Sequence, residues 1–139
     1  MIVVDTNVIS ELTRTLPNVN VQRWMRAQRL TQLATTTVTL AELQLGLALL
    51  PIGQKRTELS EKLAILIAKS FGDRILSFDE SAVPHYARLG GQRKSSGRAS
   101  GVADLMIAAI AASRGLSVCT RNVADFDFCG VALLNPWQA

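Results

Sequence analysis

The sequence predicts an α/β protein in which a central, mainly parallel sheet carries helices on both faces. Short β-branched or apolar runs of strand length alternate with longer segments of helical periodicity. The order begins and ends on a strand, the pattern of a layered α/β sheet. Hydrophobic residues make up 48% of the 139 residues and charged ones 19%, which excludes intrinsic disorder and supplies a core for one domain over residues 1–139.

Each element has its own signal. Ile2-Val3-Val4 is a β-branched run read as a buried strand, and a helix is expected after it through Leu12. The Pro17-Asn18 turn opens a helix over about Val19 to Arg29. Leu33-Ala34-Thr35 is a short strand. Thr39 to Leu50 is a helix with Leu40, Leu43, Leu47 and Leu50 on one stripe, stopped by Pro51. Lys55 to Phe71 is a longer amphipathic helix burying Leu59, Leu63, Leu66 and Ile67. Ile75–Phe78 is a strand, and Ser81 to Arg93 a helix with Pro84 in its first turn. Residues 90–101, rich in Gly, Ser and basic residues, predict a flexible basic loop. Val102 to Arg114 is apolar nearly all round and ends at Gly115. Leu116–Cys119 and Val131–Leu134 complete the strands.

Composition narrows function. No apolar run approaches the ~18 residues of a membrane span. Asp5 and Glu11 exclude a secretory signal from the N-terminal stretch, so a cytoplasmic protein is expected. The net charge is +4, and eleven of the fifteen basic residues are Arg, which suits forked phosphate contacts. Cys119 and Cys129 lack the spacing of a zinc site or a disulfide framework. His85 is the single histidine, and Pro84-His85-Tyr86 carries no nucleophile signature, so it reads as a helix-surface or half-buried residue.

The candidate chemistry lies in four acids. Asp5 directly follows the first strand, at the carboxyl edge where ligands of parallel sheets gather; it is equally a good helix N-cap. Glu42 interrupts a nearly apolar helix, with Gly46 one turn on leaving space beside it; it also fits a solvent-facing position. Asp104 opens the most apolar helix, where the helix dipole alone favours an acid. Asp125 lies in Thr120-Arg121-Asn122-Val123-Ala124-Asp125-Phe126, just after a strand, and can be a simple turn residue. Together the four can meet at one end of the sheet. Four clustered carboxylates repel unless cations neutralise them, and carboxylate oxygen selects Mg²⁺ or Mn²⁺. That chemistry suits phosphodiester hydrolysis by a metal-activated water. Against the seven other acids, the fifteen basic residues leave +8 elsewhere, a positive surface around a negative pocket.

These blocks carry a resemblance. Val4-Asp5-Thr6-Asn7-Val8-Ile9-Ser10-Glu11, Ala41-Glu42-Leu43-x-x-Gly46, Ala103-Asp104-x-x-Ile107-Ala108-Ala109 and Thr120-Arg121-Asn122-x-x-Asp125-Phe126 resemble, in order and spacing, the motifs of PIN domains. Asn135-Pro136-Trp137 is similar to the ending of VapC toxins of the FitB-like subgroup. The resemblance spans the chain. It implies a three-layer α/β/α fold, a Mg²⁺- or Mn²⁺-dependent endoribonuclease, and a type II toxin restrained by a cognate antitoxin. By position it implies Asp5, Glu42, Asp104 and Asp125 as catalytic, metal-holding acids, with Asn7 and Thr120 orienting them and Asn122 close by. Some members carry an acid where Asn122 stands. Glu11 is expected beside the pocket.

Further expectations concern partners. Arg93, Lys94 and Arg98 in the basic loop should contact RNA phosphates. The apolar helix from Val102 to Arg114 should supply a homodimer contact, which the family also implies. The antitoxin should lay a peptide across other helices and place a basic side chain in the acidic pocket. Two rivals stand beside this reading. One is an inactive PIN-type module that binds RNA or protein. The other is a haloacid-dehalogenase-type phosphatase, whose second Asp is replaced here by Asn7.

Overall fold

The computed structural model describes residues 1–98, 101–127 and 129–139. Its five strands are β1 (Ile2–Val4), β2 (Leu33–Thr36), β3 (Ile75–Leu76), β4 (Ser117–Cys119) and β5 (Leu133–Leu134), ordered β3-β2-β1-β4-β5. Every pairing is parallel, so all strands end at one edge. The connecting helices are α1 (Thr6–Leu12), α2 (Val19–Ala27), α3 (Thr37–Ala48), α4 (Gln54–Phe71), α5 (Val83–Ser95), α6 (Val102–Arg114) and α7 (Val123–Phe126).

Strand alternation sorts the core into two layers. Val4 and Cys119 face one side and pack with Val8, Val21, Trp24 and Phe71 from α1, α2 and α4. Val3 and Val118 face the other and pack with Leu89, Ile107, Ala108 and Phe126 from α5, α6 and α7. This is the α/β/α sandwich that the alternation of elements predicts. Each fully buried large side chain of this kind contributes ~1.5–3 kcal/mol from burial.

Two expectations are corrected. The first is the extent of the flexible basic loop: over Gly90 to Arg93, where the helix and loop expectations overlap, the helix prevails, and α5 runs on through Lys94 to Ser95. Gly90 is a packing residue there, since a Cβ at that position would stand 3.1 Å from Leu105 Cδ2 of α6. The glycine that reads as a loop signal in sequence serves close helix approach. Ala99 and Ser100 of the predicted loop lie outside the described residues. The second concerns α6. Its residues Leu105, Ile107, Ala108, Ala109, Ile110 and Ala111 are buried within the chain, against the sheet and α5. Most of the apolar face expected to meet a second copy is taken up by the chain's own core, while Val102 at the start of α6 stays exposed.

Other differences are at boundaries. Helix α3 starts two residues before the expected Thr39, because Thr36 at the end of β2 caps it by accepting from the Thr39 N–H at 3.0 Å. Among the described residues, no helix is long and apolar enough to cross a membrane.

Candidate active site

The carboxyl edge of the sheet brings the motif blocks of the sequence together. Asp5 follows β1 and is 1% exposed. Its carboxylate caps α1 by accepting from the Thr6 N–H at 2.8 Å, so the capping reading holds as well. It also accepts from the Thr120 hydroxyl at 2.7 Å and from Asn7 Nδ2 at 3.1 Å. Thr120 follows β4, whose Cys119 carbonyl accepts the Asp5 N–H at 2.9 Å, so the β1–β4 register itself sets Thr120 beside Asp5. Burial pushes the Asp5 carboxyl up, Glu42 adds to the rise, and the three donors oppose it.

Around this buried acid stand the others. Glu42, on α3, accepts from the Thr6 hydroxyl at 2.7 Å, and Thr6 in turn lies 3.2 Å from the Thr39 hydroxyl. Asp104 sits half-buried in the first turn of α6, its pKa pushed up to about 6. Desolvation is the largest cause; repulsion from Asp5, Asp125 and Glu42 follows. Asp104 therefore feels all three other acids, as convergence of the four requires. Asp125, in α7, pairs with Arg93 Nη2 at 3.7 Å. Asn122 N–H donates to the Thr120 hydroxyl at 3.0 Å, which fixes Asn122 beside the site through its backbone.

The predicted RNA contacts divide. Arg93 is 4% exposed and faces Asp125 and Asp104 from α5, so it is an internal counter-cation and its role as a phosphate contact is corrected. Lys94 is exposed on the last turn of α5, and Arg98 is exposed with an ion pair to Asp127 at 3.4 Å. Glu11, on α1, is buried; it accepts from the Asn18 N–H at 2.9 Å and pairs with Arg14 at 3.3 Å. His85 lies on α5 beside Arg88, away from the acids.

Two participants escape sequence reasoning. Thr6 holds Glu42, and Arg93 offsets the acids. The threonine cluster at Thr35, Thr36 and Thr39 is a visible signal for hydroxyl donors at a strand end, whereas nothing in the Gly-rich context of Arg93 marks it as buried.

The donor set is all oxygen and anionic, the set that a hard divalent cation takes. Among the described residues, no three of these side chains stand close enough together to ligate one ion as they are placed. Glu42 and Asp5 are instead each hydrogen-bonded to a threonine, Thr6 and Thr120 respectively.

A PIN domain family model matches residues 2–132, nearly the whole described fold. The chain belongs to the PIN-domain family. It is 42% identical over 138 residues to the toxin FitB of Neisseria gonorrhoeae, covering 99% of each chain. It is 41% identical over 138 residues to the VapC ribonuclease Y4jK of Sinorhizobium fredii, again covering 99% of each. Its structure matches the crystal structure of FitAcB from Neisseria gonorrhoeae with a TM-score of 0.92, 41% identity and full coverage of both chains. The PIN-domain assignment and the three-layer sandwich agree with the motif blocks read in the sequence, from Asp5 through Asp125.

Proposed function

We propose that this PIN-domain chain is a Mg²⁺- or Mn²⁺-dependent endoribonuclease and the toxin of a type II toxin–antitoxin pair, acting as a single domain in the cytoplasm. The observation that carries the reading is the repulsion that Asp104 meets from Asp5, Asp125 and Glu42 at one sheet edge, in a chain that matches a named ribonuclease and a named toxin end to end.

In this reading Asp5, Glu42, Asp104 and Asp125 hold the cation. A bound divalent ion supplies Lewis acidity toward the phosphoryl oxygen and lowers the pKa of water. The chain's own residues do the positioning. Thr120 and Asn7 fix the Asp5 carboxylate from two directions, and Thr6 fixes Glu42. Arg93 restrains the repulsion around Asp104 and Asp125. Asp104, its pKa raised to about 6, gives up its proton around that pH and would then be available to hold a cation. Lys94 and Arg98 remain proposed RNA contacts on the exposed surface.

The antitoxin is assigned the cleft between α1, α3 and α4. Its walls are Leu43, Leu47, Leu50, Leu59 and Leu63, and Glu42 with Thr6 forms one end. An apolar floor running into a carboxylate suits a peptide with apolar anchors and a basic side chain at the acidic end.

The test is cleavage of labelled single-stranded RNA by the purified protein with Mn²⁺ and with chelator, alongside Asp5→Asn. Cleavage that needs the metal and disappears in Asp5→Asn supports the reading; RNA left intact by wild type in Mn²⁺ favours the inactive binding module.

A further inference from the structure

Beside the acidic site lies a second feature that the carboxylate chemistry does not use. The residue after Thr120 is Arg121, and its backbone N–H donates to Asn7 Oδ1 at 3.1 Å. Asn7 is the residue that donates to Asp5, so the backbone of Arg121 is one hydrogen-bonded side chain from the buried acid. The Arg121 guanidinium lies over the Trp137 ring, 4.9 Å from its centroid. Trp137 is anchored in turn: Asn135 accepts its N–H at 3.0 Å, and its carbonyl accepts from Asn20 Nδ2 at 2.9 Å. The two residues wall a cavity of about 260 Å³ together with Glu11, Arg14, Leu16 and Asn18.

Charge within this cavity is unevenly compensated. One Glu11 oxygen takes Arg14 and the other takes the Asn18 N–H. Arg121 is exposed, and among the described residues no carboxylate stands within ion-pair distance of it. Stacking occupies only the face of a guanidinium. Its N–H donors lie in the plane and point from the edges, so an arginine held on an aromatic ring keeps its whole fork for a planar or tetrahedral anion. Holding it there in advance also removes much of the rotamer entropy that a free surface arginine loses on binding.

We infer that Arg121, stacked on Trp137, is an RNA-binding residue that grips a backbone phosphate next to the scissile one, with the adjoining nucleotide seated in the cavity walled by Arg14, Asn18 and Trp137. The assignment rests on the ribonuclease reading for its substrate. It extends the substrate's path past the acids to the α1–α2 side, so that the strand crosses the site between Arg121 and the Lys94–Arg98 segment.

The test is fluorescence anisotropy of a labelled single-stranded oligoribonucleotide with Asp104→Asn protein, across a range of salt, with and without Arg121→Ala, Arg121→Lys and Trp137→Phe added. Arg121→Ala should weaken binding about tenfold and reduce the slope of log affinity against log salt by ~0.7, the share of one neutralised single-strand phosphate. Arg121→Lys should keep the slope and still lose several-fold in affinity, because it keeps the charge and lacks the fork. Trp137→Phe should keep the slope with a smaller loss. Melting temperatures of all proteins show whether each variant is folded; if Arg121→Ala is not, the Lys variant decides by its loss of affinity. Unchanged affinity and slope in a folded Arg121→Ala protein overturn the inference, and equal affinity of Arg121→Lys and the parent reduces Arg121 to a surface charge and overturns it too. Binding is read without cleavage, so a wild type that fails to cut RNA in Mn²⁺ counts against the ribonuclease reading alone.

Discussion

Replacing Asp104 with Asn probes the electrostatic cost of the site. In the folded protein the Asp104 pKa rises from 3.8 to about 6. At ~1.4 kcal/mol per pKa unit this corresponds to an unscreened ~3 kcal/mol. Asp104 is half-buried, and solvent screening reduces that to ~1.5 kcal/mol. Asparagine also gives up the favourable charge at the start of α6, ~0.3–1 kcal/mol. The net expectation for the metal-free protein at pH 7 is a gain of ~1 kcal/mol, a rise of about 4 °C in Tm for a chain of this size. The sign depends on pH. A raised pKa means the native state holds the proton more tightly, so the wild type loses stability as pH climbs from about 4 through 6, and the loss is complete above that. The advantage of Asp104→Asn should therefore be full at pH 7 and vanish near pH 4. Thermal melts of both proteins in chelator at several pH values measure it. An Asp104→Asn protein less stable than wild type at pH 7, or a difference independent of pH, would refute the convergence of the acids on Asp104 and leave it a simple first-turn acid.

Other outcomes follow from the same geometry. Thr120→Val removes the 2.7 Å donor to buried Asp5; stability should fall by ~1–2 kcal/mol in chemical denaturation, and RNA cleavage should slow by more than about tenfold. Arg93→Met removes the cation that lowers the Asp104 pKa, so the pH midpoint of the stability loss should move upward in melts, and an unmoved midpoint contradicts its role as counter-cation. Lys94→Ala with Arg98→Ala should lower the salt slope of RNA binding by ~0.7 for each phosphate no longer neutralised, and an unchanged slope removes both from the binding surface.

The sandwich and the acids are legible in the sequence because both rest on strong local signals. Ile2-Val3-Val4 and the apolar run ending at Cys119 announce buried strands, and in a parallel sheet whatever follows a strand stands at the same edge. That rule puts Asp5 and Thr120 at one edge, and the pairing of β1 with β4 makes them neighbours. Asp104 and Glu42 are charges in otherwise apolar helices, which marks them whichever way they face. The failures lie where one residue type serves two purposes. Gly90 permits either a loop or a close helix crossing, and only the position of Leu105 decides for the crossing. Arg93 follows it one turn later and is carried inward by that packing, so a residue that reads as a surface charge becomes an internal one. An apolar helix such as α6 looks the same whether its second face meets a partner or α5. Arg121 reads in sequence as a surface ion-pair partner for Asp125, because its pairing with Trp137 joins positions sixteen residues apart.

In the proposed reading Asp5, Glu42, Asp104 and Asp125 form one cation-binding centre. Titration of the purified protein with Mn²⁺, followed by the loss of the free-ion electron paramagnetic resonance signal, tests it most directly. Wild type should bind Mn²⁺ saturably near neutral pH, more weakly below about pH 6 as Asp104 takes up its proton, and Asp5→Asn and Asp104→Asn should each lose most of that binding. Wild type that leaves the ion free at millimolar Mn²⁺, or binding that survives both substitutions, contradicts it.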